Sequence, residues 1–78
     1  NNMWTEDKKC LLRTFKFSTY QKAQDFVVNV AELAKQLNHH PKLTWDFKRV
    51  DVELRTHDKG AITSLDHELS TEIDKISE

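Results

Sequence analysis

The spacing of apolar residues changes three times along this chain, and those changes dictate which elements it can build. Leu11, Phe15 and Phe17 alternate with Leu12, Thr14 and Lys16, the two-residue period of a strand with one better-buried face. The period then lengthens: Ala23, Phe26, Val27, Val30, Ala34 and Leu37 recur at helical spacing, with Lys22, Gln24, Asp25, Asn29 and Lys35 on the other side. Ser18 and Gln21 form a Ser-x-x-Gln capping signature ahead of that run, so the spacing predicts a helix from about Thr19 to Leu37. It is expected to end before Asn38-His39-His40-Pro41, because the residue ahead of a proline is pushed out of the helical region. Alternation returns in Leu43, Trp45 and Phe47, and again in Val50, Val52 and Leu54. These predict two half-buried strands joined by a tight turn near Lys48-Arg49, with Trp45 and Phe47 in the sheet core. Thr63 followed by Asp66 reads as a second helix start, with Leu65, Leu69, Ile73 and Ile76 as its apolar stripe. A short piece around Met3–Thr5 would pair with the first strand across Glu6–Lys9. The order strand, helix, hairpin, helix predicts an α+β fold, a small antiparallel sheet of about four strands with helices packed on one face.

Composition narrows what such a fold can do. The 78 residues are expected to form a single domain over 1–78, with no repeat, low-complexity stretch or linker. A domain this small buries only about 60% of its unfolded surface, which makes self-association a route to further burial. Thirteen acidic and twelve Lys/Arg side chains give a formal net charge of −1, without the cation surplus that nucleic-acid binding requires. No apolar run approaches the roughly 18 residues of a membrane span, and no signal-peptide pattern opens the sequence. Cys10, the lone cysteine, allows no intrachain disulfide and fits a reducing compartment. The expectation is a soluble cytoplasmic domain, with the nucleus as a second location.

The histidines carry the candidate chemistry. If the strands at 43 and 54 pair, antiparallel geometry returns His57 to the level where the His39-His40 loop enters. Three imidazoles would then share one end of the sheet, each with an unperturbed pKa of about 6.5 suited to proton transfer near neutrality. Taken singly, any of them reads as structural, His39 for instance as a cap on helix carbonyls. Taken together they favour a site. A zinc centre fits less well, since adjacent histidines rarely share one ion and no His-Glu-x-x-His spacing is present. Asp66 is suited both to orienting a histidine and to capping the second helix. Lys35, one turn before His39, would favour the neutral imidazole if the two approach. His67 reads as a solvated helix position. Cys10 has no base nearby in sequence, and no phosphate loop or Gly-x-Ser-x-Gly elbow occurs.

Lys35-x-x-x-His39-His40-Pro41, the aromatic Phe47, Thr56-His57-Asp58 and Asp66 together resemble the signature of the pterin-4a-carbinolamine dehydratases. The likeness extends upstream to Leu12-Arg13-Thr14-Phe15-Lys16-Phe17 and covers about Trp4 to Ile76. The resemblance implies a lyase that removes water from 4a-hydroxytetrahydrobiopterin to give quinonoid dihydropterin, in tetrahydrobiopterin recycling. It implies His39, His40 and His57 as the catalytic trio, the first and last as proton carriers and His40 chiefly as a binding group. Asp66, Lys35, Thr56 and Asp58 fall in the implied substrate-binding region. No metal or organic cofactor is implied, and the partners are a small pterin and further copies of the chain in a homodimer or homotetramer. The alternative is a non-catalytic oligomeric module that binds a protein, of the transcriptional dimerisation-cofactor type.

Overall fold

In a computed structural model of the chain, which describes residues 3–77, the alternating segments become the strands of one antiparallel sheet. β1 (Thr5–Asp7), β2 (Cys10–Lys16), β3 (Lys42–Asp46) and β4 (Arg49–Leu54) lie in the order β1-β2-β4-β3. α1 (Tyr20–Leu37) connects β2 to β3, and α2 (Ser64–Ser77) follows β4. The central pair is β2 with β4, in register from Leu11 opposite Leu54 to Lys16 opposite Arg49. Leu11 and Phe15 of β2 and Val50, Val52 and Leu54 of β4 form the inner face of the sheet. Ala23, Phe26 and Val30 of α1 and Leu69 and Ile73 of α2 close over it in one cluster. Both helices therefore cover the same face, as the α+β expectation requires. Each fully buried Leu, Ile or Val there contributes about 1.5–3 kcal/mol of transfer free energy. No helix among the described residues is long and apolar enough to cross a membrane.

The differences from expectation have local causes. The first strand starts at Thr5 rather than Met3, because the reversal uses only Lys8 and Lys9. Both take positive φ (51° and 73°), the geometry of a primed hairpin turn, without the Asn-Gly that usually signals it. The cap of α1 is Thr19 rather than Ser18. Its Oγ1 accepts from the Lys22 N–H at 3.1 Å, while Gln21 bonds Asp25 along the helix surface. The β3–β4 turn is Phe47-Lys48, one residue earlier than expected, with Phe47 at φ 57°. That takes Phe47 out of the strand, and β3 lies at the sheet edge. Trp45 and Phe47 are consequently 37% and 62% exposed rather than core, packing on Tyr20 at ring separations of 5.1 and 5.6 Å. In α2 Leu65 is exposed, and Asp66 and Ser70 are buried beside Leu69 and Ile73.

Candidate active site

The site starts from how α1 ends. Asn38 adopts the left-handed conformation (φ 52°, ψ 42°), which Asn tolerates better than most residues. Its N–H bonds the Lys35 carbonyl at 3.3 Å and the His39 N–H bonds the Ala34 carbonyl at 3.0 Å, the paired bonds of a Schellman ending. These bonds tie the His39 backbone to the helix. Its ring lies inside, only 9% of the residue being exposed.

There it meets Asp66, whose surface is wholly buried. His39 Nε2 lies 2.6 Å from Asp66 Oδ1. The other oxygen, Oδ2, accepts the Thr63 N–H at 2.9 Å and the Thr56 hydroxyl at 2.9 Å. The Thr63 amide bond is one half of a capping box, with Asp66 three residues into the turn that opens α2. Burial alone would raise the Asp66 carboxyl. The hydrogen bonds from His39, the Thr63 amide and Thr56, with the charge interaction with His39, outweigh it and hold the carboxyl below its ordinary 3.8. An ionised carboxylate only accepts, so His39 donates through Nε2–H. The two roles weighed for Asp66, orienting a histidine and capping a helix, are filled by its two oxygens.

The sheet register brings the second histidine segment to the same end. Lys42 lies opposite Glu53, and three residues beyond each of them His39 and Thr56 reach the two oxygens of Asp66. Thr56 forms a bridge with Ala61, its N–H bonding the Ala61 carbonyl at 3.0 Å. The enclosed turn carries His57 and Asp58, both exposed, and is tightened by the Lys59 and Gly60 amides on the Thr56 carbonyl at 3.1 and 2.9 Å. Gly60 has φ +58° while open space surrounds the position of a Cβ, so backbone conformation rather than crowding calls for glycine. His40 is exposed directly after His39, and Lys35 is exposed on α1 with no ion pair among the described residues. His67 is exposed on α2. From the sequence Thr63 reads only as a helix start. The Thr-x-x-Asp spacing was the signal that it also touches the carboxylate at the site.

Other chemistry finds less support. Cys10 is buried with Sγ 3.6 Å from Glu53 Oε2, and burial, then the Glu53 charge and hydrogen bond, push its thiol up from 9.0, the wrong direction for a nucleophile. Among the described residues, no three His, Cys, Asp or Glu side chains gather as a metal-binding group. Surface grooves run along β2, between the end of β2 and the two helices, and beside the Phe47-Lys48 turn.

Comparison with known proteins converges on one family. The family model described as pterin 4 alpha carbinolamine dehydratase matches residues 1–76. A protein of Saccharolobus islandicus named "Putative pterin-4-alpha-carbinolamine dehydratase" is 40% identical over 78 residues, covering 97% of this chain and 79% of the relative. A Roseiflexus protein of the same name is 40% identical over 73 residues, covering 94% and 78%. Among solved structures, a transcriptional coactivator/pterin dehydratase from Brucella melitensis superposes with a TM-score of 0.93 at 31% identity, covering 96% of this chain and 82% of its own. A pterin dehydratase-like RuBisCO assembly factor of the alpha-carboxysome shares the fold, with a TM-score of 0.80 at 16% identity over 97% of this chain and 88% of its own.

Proposed function

This chain belongs to the pterin 4 alpha carbinolamine dehydratase family, and we propose on that footing that it dehydrates 4a-hydroxytetrahydrobiopterin to quinonoid dihydropterin by histidine acid–base chemistry. The N5 proton leaves to a base, the N5–C4a double bond forms, and the C4a–oxygen bond breaks. The hydroxyl departs with a second proton as water. No electrons are exchanged with an acceptor, so the balance calls for no oxidant or reductant.

The observation that carries this reading is the buried His39–Asp66 bond. With Nε2–H donated to the carboxylate, the neutral ring keeps its lone pair on Nδ1 and can take a proton there. His57 is the second proton carrier in this reading, and His40 binds and orients the pterin. Lys35 and Asp58 supply polar groups near it, with Asp66 and Thr56 behind. A carbinolamine loses water readily on its own, so an open acid–base site suffices. The test is ultraviolet monitoring of carbinolamine decay. Wild type should outpace the spontaneous reaction, His39→Ala and His57→Ala should each lose about 10²–10⁴-fold, and EDTA should change nothing. A wild-type rate equal to the spontaneous one would defeat the proposal.

A second reading, a non-catalytic protein-binding module, draws on the coactivator description of the Brucella relative and on the exposed aromatics around Phe47. The same decay measurement separates the two. In either case a cytoplasmic homodimer or homotetramer is proposed, with the open edge of β3 as a surface for self-association.

A further inference from the structure

We infer that the Thr56 hydroxyl is a positioning group that couples the two proton-carrying histidines, rather than a substrate contact. The inference rests on the acid–base reading of His39 and His57. Thr56 Oγ1 lies 2.9 Å from Asp66 Oδ2 and 2.6 Å from Thr63 Oγ1. A hydroxyl has one proton to give. The carboxylate accepts only, so Thr56 donates to Asp66, and the Thr63 hydroxyl donates in turn to Thr56. The alternative, Thr63 donating to Asp66, spans a longer 3.5 Å. The chain of donation therefore runs Thr63, Thr56, Asp66, with His39 closing on the other carboxylate oxygen from the opposite side.

The backbone of the same residue holds the second histidine. The Thr56 N–H and carbonyl bond Ala61, Lys59 and Gly60, closing the turn that carries His57. One residue thus grips the His57 turn through its main chain and the His39 partner through its side chain. If the hydroxyl is lost, Asp66 Oδ2 keeps only the Thr63 donors, and the turn loses its side-chain tie to α2. The carboxylate can then rotate, the His39 tautomer is less firmly imposed, and His57 drifts relative to His39. Misplacement of about 1 Å costs on the order of 100-fold in a positioned reaction.

The test compares Thr56→Val, which keeps the shape and removes the hydroxyl, with Thr56→Ser, which keeps the hydroxyl. Thr56→Val should lower kcat about 10-fold or more with little change in KM, and Thr56→Ser should restore most of it. Independently of activity, ¹⁵N spectra of the Thr56→Val imidazoles should show His39 losing its single Nε2–H tautomer. The Lys59 and Gly60 amides should exchange faster. A Thr56→Val protein with unchanged tautomer and amide protection, or with raised KM at unchanged kcat, overturns the inference. Should that variant not fold, wild type decides. A slowly exchanging Thr56 hydroxyl proton giving a deuterium isotope shift at the Asp66 carboxyl carbon is expected, and its absence overturns the inference. An altered tautomer in a chain whose wild type does not speed carbinolamine decay would sink the dehydratase reading while leaving the coupling intact.

Discussion

Asp66 concentrates the residue-scale physics of this protein. It is a wholly buried carboxylate stabilised by donors from three segments: the loop after α1, the turn after β4, and the entry to α2. Its folded pKa lies below its ordinary 3.8, so it contributes stability that is fully present above the unfolded value. That contribution is lost as pH falls through the folded value. Wild type should therefore lose thermal stability as pH drops below about 4, and Asp66→Asn should flatten that part of the profile. At neutral pH Asp66→Asn should cost about 1–3 kcal/mol, because the amide NH₂ must face a donor where a carboxylate oxygen accepted one. Melting followed by circular dichroism across pH measures both. The sequence left the two roles of Asp66 open, since a carboxylate three residues into a helix satisfies amides whether or not a histidine lies behind it.

At the scale of elements, helix ends do more than stop helices. The left-handed Asn38 turns the chain so that the next residue, His39, faces inward, and the two Schellman bonds fix it there. A β-branched residue in that conformation is strained, so Asn38→Val should destabilise by about 1–2 kcal/mol in urea titration while Asn38→Gly is tolerated. Pro41 told where α1 must have ended, and the apolar period told which side of it is buried, so this helix was legible almost to the residue. The apolar stripe of α2 differs from expectation at its start. Leu65 follows the pattern but is exposed, because the inward position of that first turn belongs to the buried Asp66. Hydrophobicity alone does not foresee a carboxylate whose desolvation is offset by hydrogen bonds.

For the whole molecule, the sheet has a covered face and two edges, and the edges differ. β1 is a short edge of exposed, polar residues (Thr5-Glu6-Asp7), whereas β3 reads Lys42-Leu43-Thr44-Trp45-Asp46. Two copies of β3 paired antiparallel about Thr44 would set Lys42 of one against Asp46 of the other, and Leu43 against Trp45. Cross-strand pairs of opposite charge and of apolar side chains each contribute roughly 0.2–1 kcal/mol. Lys42→Glu should accordingly shift sedimentation toward the monomer, and Lys42→Glu with Asp46→Lys should reverse the shift. If the single variant sediments like wild type, β3 is not the associating edge. Exposure of Trp45 was not readable from its alternation, because an edge strand and a central strand carry the same period, and Phe47 is exposed because it lies in the turn beyond β3.

The sequence by itself determined the element order, the inward faces of β2, β4 and α1, and the end of the sheet to which the histidine segments return. Those are consequences of period and of proline geometry, which are local. Only the tertiary structure decided which strand lies at an edge, that Asp66 rather than Leu65 faces inward, and that Thr56 and Thr63 share its carboxylate. These depend on where distant donors meet a buried acceptor, and residues 39, 56 and 66 meet only once sheet and helices have packed.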